Sequence, residues 1–291
     1  MGRCREETDV IFTELVEQIM TEPEWLASRD PEPMLDYLKD TASDRKLRLL
    51  ACAIVRRARI TLSGETMWEL MPSYHWYQDI TRVRLTGEEC RDLTWEEHGE
   101  YGYLRMNCHE VIETAELRAD GRTSRLRWEA ARDYAYYAQW AAEVDTFGYD
   151  PEVYPGSELR YTMAGAVEDA TRTGEDLIQS MIWTQREVAL PGDEHSRKIC
   201  DPSHGEHVCR LVRDIFDNPF RPRTIRRALL TPGVVEFGQS IYENQAFDLM
   251  PTLGDRLEAA GCKGGEFLSH CRSQTDHARG CWLLDALLGK G

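Results

Sequence analysis

Cysteine and histidine gather twice towards the C-terminus of this 291-residue chain. The first group is His195, Cys200, His204, His207 and Cys209, with Pro202 and Gly205 among them. The second is Cys262, His270, Cys271, His277 and Cys281. Thiolate and imidazole are preferred ligands of tetrahedral zinc, so each group is a candidate zinc site. The first reads C-x3-H-x2-H-x-C, which matches no standard finger. In the second, a helix over 277–288 would set His277 and Cys281 four residues apart on one face, both towards one ion. Neither group has paired C-x-x-C knuckles. The competing reading is therefore small buried cysteines and a core histidine holding a carbonyl. A thiol nucleophile is a third reading, with Cys271 or Cys281 beside His277 and with Arg272 and Arg279 near in sequence.

Other reaction chemistry is missing from the pattern. There is no G-x-S-x-G elbow, phosphate-binding loop, dinucleotide fingerprint or H-E-x-x-H. His109-Glu110-Val111-Ile112-Glu113 begins like a zincin helix but lacks the second histidine. No Glu-x-x-His pair supports a di-iron bundle.

The elements that must position these residues read as helices. Over 44–60, Leu47, Leu50, Ala51, Ile54, Val55 and Ala58 form one apolar stripe behind an N-cap at Ser43. Short helices are expected at 23–27 and 31–38, the latter with Asp30 as cap and Pro31 in the first turn. Longer ones are expected at 88–117 and 124–144, joined by a turn at Gly121. The second carries Trp128, Tyr134, Tyr136, Tyr137 and Trp140 on several faces. Residues 147–157 hold Gly148, Pro151, Pro155 and Gly156 and read as a loop. Helices follow at 158–188, 207–216, from Pro232, at 252–260 (capped by Gly261), at 265–271 and at 277–288. Strand signals are confined to a four-residue alternation at Arg82–Leu85. The fold class is all-α: a multi-helix, orthogonal or bundle-like domain with little or no sheet. The expected organisation is an extension at 1–19, a helical region at 20–146, a loop at 147–157 and a second helical region at 158–291 packed on the first.

Charge narrows the function classes. The formal charge is −16, from 35 basic and 51 acidic residues. That disfavours nucleic-acid coating and docking on anionic lipid. Two basic segments stand out, 41–60 at +5 and 210–227 at +4, against −9 over 61–150. They are expected to pair with the acidic middle, since arginine suits bidentate contact with carboxylates. A nucleic-acid role for them is the weaker alternative. No apolar run reaches the length of a membrane span, and the acid-rich first twenty residues do not make a secretory signal. Nine scattered cysteines read as reduced thiols of a cytoplasmic protein.

Two stretches carry a resemblance. The first is M-T-E-P-E-W-L-A from Met20, then D-P-E-P-M-L-D-Y-L and S-D-R-K-L-R-L-L-A-C-A-I-V-R-R. The second is R-D-I-F-D-N-P-F-R-P, then A-F-D-L-M-P-T-L-G-D-R-L-E-A-A-G-C, H-C-R and H-A-R-G-C-W-L-L-D-A-L-L-G-K. These phrases resemble an uncharacterised paralogous family abundant in planctomycete bacteria. The resemblance implies no activity, cofactor or catalytic residue. It does imply a start near Met20, with 1–19 as an extension. Physically, Phe220 between Pro219 and Pro222 reads as a core plug. The closing apolar helix is expected to dock on the Leu47–Val55 stripe or the Val234–Tyr242 helix, making the two phrases halves of one core.

The functional expectation is a non-catalytic helical interaction or adaptor protein with a protein partner. The alternative is a zinc- or thiol-dependent protein built on a Cys/His cluster.

Overall fold

The computed structural model describes residues 20–57, 61–62, 65–66, 108–148, 168–172, 181–182, 203–263, 265–273 and 277–290. Helix dominates them, so the protein is all-α. The strand content described is one two-residue antiparallel pair, Thr61–Leu62 with Glu65–Thr66. No described helix is long and apolar enough to cross a membrane. The extension at 1–19, the alternation at 82–85 and the loop over 149–157 lie outside the described residues.

Helix α1 (Glu22–Ala27) starts where the Glu24 carboxylate accepts from the Thr21 backbone N–H at 2.7 Å. Helix α2 (Pro31–Leu38) has Pro31 in its first turn, and the Asp30 carboxylate accepts from the Glu32 N–H at 3.0 Å. Helix α3 (Asp44–Arg57) buries Leu47, Leu50, Ala51, Ile54 and Val55 of the expected stripe, and also Leu49, Cys52 and Ala53; Ala58 lies outside the described residues. Burial on several faces makes α3 a central helix rather than a half-solvated one. It packs on α4 (Cys108–Ala119) and α6 (His204–Phe216). Gly121, at φ +69°, turns the chain from α4 into α5 (Arg125–Gly148). The expected 88–117 helix is thus described from Cys108 on. Helix α5 runs into the segment expected to be loop, because a glycine ends a helix without forbidding its last turn.

Helix α6 begins at His204, three residues before the expected start. It is clasped to α1: the Trp25 indole donates to the Asp217 carbonyl at 3.0 Å, and Arg213 donates to the Trp25 and Ser28 carbonyls. Asn218 closes the following loop by accepting from the Phe220 N–H, and the Phe220 ring stacks on Tyr37 at 5.1 Å. These helices share one apolar core.

A second core gathers α7 (Pro232–Asn244), α8 (Met250–Ala259), α9 (Gly265–Arg272) and α10 (Trp282–Leu288). Helix α8 starts at Met250, two residues early, because Pro251 suits a first turn that lacks an N–H partner anyway. Helix α10 docks on α7, where a Cβ on Gly238 would lie 3.8 Å from Leu284 and Leu287. The apolar tail therefore covers the Val234–Tyr242 helix and not the Leu47–Val55 stripe. The two phrases meet in the first cluster, to which the second phrase gives Ile215, Phe216, Phe220 and Ala278, while its Leu253, Leu257, Leu283 and Leu284 fill the second cluster.

Charged groups link the clusters. Arg45 on α3 takes Asp285 on α10 in a two-pronged contact at 2.7 and 2.9 Å. The same guanidinium reaches Asp120 at 3.2 Å and the Tyr242 hydroxyl at 2.9 Å. Lys46 donates to the Ile215 carbonyl at 2.6 Å. Arg56 grips Glu116, which also accepts from Gln245. Several arginines of the two basic segments are thus engaged within the fold, as are Arg223 with Asp217 and Arg221 with Glu22. Arg226 and Arg227 are exposed.

Candidate metal centre

The expected helix over 277–288 does not begin at His277. Residues 277–281 form an irregular turn, and α10 starts at Trp282. Gly280 explains the break. Its φ is +92°, and a Cβ there would sit 2.9 Å from Leu49 Cδ1 on α3. Only glycine reaches that backbone region and that close approach without strain. His277 and Cys281 are therefore not one helical turn apart; the turn folds both towards α6.

Four donor groups converge there: Asp214 from α6, His270 from α9, His277 from the turn, and Cys281 capping α10. One donor atom from each lies within 4.8 Å of the others. His277 Nδ1 is 2.7 Å from Asp214 Oδ1, and the Ala278 N–H donates to Asp214 Oδ2 at 2.9 Å. His270 Nε2 is 3.1 Å from Cys281 Sγ and 3.5 Å from Asp214 Oδ1. The two imidazoles meet edge to face at 4.8 Å. Asp214, His277 and Cys281 are buried, and the His270 side chain is 13% exposed.

The electrostatics are those of a desolvated pocket. Burial pushes the His270 pKa down to about 4, against the opposing pull of Asp214, so the ring is neutral near pH 7. Burial raises the Cys281 thiol well above its ordinary value, and Asp214 adds to the rise. The N–H groups of Leu283 and Leu284 face the Cys281 sulfur and work the other way. A buried thiol with a raised pKa makes a poor free nucleophile. A bound cation reverses that logic, because it deprotonates a coordinating thiol outright.

The donor set fits zinc: two imidazoles, a carboxylate and a thiolate. Tetrahedral zinc places such atoms about 3.3–3.6 Å apart, so shifts of about an ångström would close the site. The Asp214 carboxylate is already held by a backbone N–H, the kind of outer support that orients a ligand.

Of the second predicted group, His270, His277 and Cys281 come together. Cys271 instead faces Gly254 on α8, in the C-terminal core, with its thiol pushed up to about 12 by burial. Cys262 is buried beyond the end of α8, where its N–H donates to the Leu257 carbonyl. Of the first group, His195 and Cys200 lie outside the described residues. His204, His207 and Cys209 are buried on α6, and among the described residues they join no cluster of potential ligands. Arg210 reaches His207 Nδ1 at 3.4 Å, and burial pushes the Cys209 thiol up to about 11. Asp214 was not among the predicted ligands. Of the aromatic set on α5, Trp128 and Tyr134 are buried, Tyr136 is 57% exposed, and the Tyr137 and Trp140 side chains lie outside the described residues.

The chain matches no protein-family model, no curated protein and no solved structure.

Proposed function

We propose that this is a non-catalytic helical protein whose two cores are pinned together by a zinc ion on Asp214, His270, His277 and Cys281. The observation that carries the reading is the convergence of these four donors, from three separate elements and the turn between two of them, within 4.8 Å. Asp214 belongs to a helix of the N-terminal core; the other three precede or belong to helices of the C-terminal core. An ion bridging them would convert binding energy into folding energy. A catalytic zinc keeps an open position for substrate, whereas these donors number four and three of them are buried, which favours a structural ion. The same burial speaks against thiol catalysis.

Cobalt substitution tests this. Cobalt(II) in the metal-free protein is expected to give thiolate-to-metal charge-transfer absorption. That band should vanish in Cys281→Ser, weaken in Asp214→Ala, and persist in Cys209→Ser. A band that survives Cys281→Ser would overturn the assignment.

A further inference from the structure

The Trp282 indole N–H donates to His270 Nδ1 at 3.2 Å. An indole nitrogen only donates, so Nδ1 must present its lone pair. The single ring proton of neutral His270 then sits on Nε2. There it points at Cys281 Sγ, 3.1 Å away, with Asp214 Oδ1 at 3.5 Å. That is a closed chain of hydrogen bonds suited to an empty site.

An ion changes the requirement. The nitrogen of His270 that faces Asp214 and Cys281 is Nε2, so the ion takes that lone pair. The ring proton of a neutral ligand histidine then resides on Nδ1. Two N–H groups, from His270 and Trp282, would face each other with no acceptor between them.

We infer that filling the site releases the Trp282 indole N–H from His270, so that occupancy of a buried centre is reported at the surface beside Trp282. This rests on the zinc reading above and adds how that site is coupled to its surroundings. The indole is buried but borders the surface. Its ring lies against Phe267 at 5.7 Å and under the Arg223 guanidinium at 5.2 Å. It also lines a surface pocket of about 430 Å³ shared with Phe216, Pro219, Pro222 and Arg223. A shift of the indole on metal binding changes the wall of that pocket.

The test is nitrogen NMR of wild-type protein, without and with one equivalent of zinc. The metal-free protein should show His270 protonated at Nε2; the zinc form should show it protonated at Nδ1. The Trp282 indole resonance, assigned by its loss in Trp282→Phe, should shift on zinc addition. Trp282→Phe keeps a packed ring and removes the competing donor. Its zinc affinity, measured against a chromophoric chelator, should rise about 2- to 13-fold, the worth of one net hydrogen bond. An Nδ1–H tautomer before metal, an unmoved indole signal, or an unchanged or weaker affinity in Trp282→Phe would each overturn the coupling. Zinc binding with an unmoved indole sinks the coupling alone; failure to bind zinc sinks the proposed function and the coupling together.

Discussion

Gly280→Ala probes the turn that brings His277 and Cys281 to α6. Two costs add at this position. A side chain at φ +92° pays the left-handed backbone penalty, about 1–2 kcal/mol. The new methyl would also lie 2.9 Å from Leu49 Cδ1 and 3.1 Å from Leu49 Cβ, an overpacking cost of about 1–3 kcal/mol. The expected loss is therefore about 2–5 kcal/mol, a large share of the roughly 5–15 kcal/mol that holds a typical domain together. Urea unfolding of metal-free protein reads it as a lower midpoint at constant slope. Leu49→Ala separates the two costs. Alone it empties a buried site and should destabilise by about 2–5 kcal/mol. Combined with Gly280→Ala it removes the Cδ1 clash but keeps the Cβ contact at 3.1 Å and the backbone penalty. The double variant should therefore be more stable than the sum of the singles by part of the overpacking cost, about 1–2 kcal/mol. A Gly280→Ala protein within about 0.5 kcal/mol of wild type would refute the account of the turn, as would strict additivity with Leu49→Ala.

Other perturbations test the surrounding frame. Arg45→Met leaves Asp285 and Asp120 buried beside one fewer cation and should cost about 3–5 kcal/mol in urea unfolding, with Asp285→Asn in the same chain recovering part of the loss. Trp25→Phe strips the Asp217 carbonyl of its indole donor and should cost about 1 kcal/mol by the same assay, with no change in zinc content. Among the described residues Cys52, Cys209, Cys262, Cys271 and Cys281 are buried, and burial raises the thiols of Cys52, Cys209, Cys271 and Cys281. Native protein should accordingly expose at most four thiols to rapid labelling by an aromatic disulfide reagent, and all nine in denaturant. Removal of residues 277–291 strips Leu283, Leu284 and Leu287 from the C-terminal core and should give insoluble protein; a soluble truncation with a cooperative melt would contradict the packing described.

Much of the helical frame was legible because its signals are local. The Asp30-Pro31 and Thr231-Pro232 starts, the Gly121 turn and the α3 stripe all sit where capping and periodicity place them. The candidate site was half legible. Three of the ligands stood close in sequence, but the helix imposed on 277–281 ignored Gly280, whose role depends on Leu49 more than two hundred residues away. Asp214 was missed because a single acid among many draws no notice by type. Its phase held the clue: it falls three residues after Leu211 and one before Ile215, among the buried positions of the helix. A carboxylate placed there needs a partner, and the partners arrive from α9 and the 277–281 turn, which no local pattern announces. The docking of α10 was open for a similar reason, since an apolar tail helix matches any apolar stripe; in the structure Leu284 and Leu287 come to rest beside Gly238 on α7.

The most direct test of the central claim is the zinc content of wild-type protein by elemental mass spectrometry, after purification untagged, reduced and free of chelator. About one zinc per chain, lost on Cys281→Ser and kept on Cys209→Ser, is the predicted result. Wild-type protein that is folded and holds no metal, even after dialysis against zinc, would contradict it and leave Asp214, His270, His277 and Cys281 as a buried hydrogen-bond network.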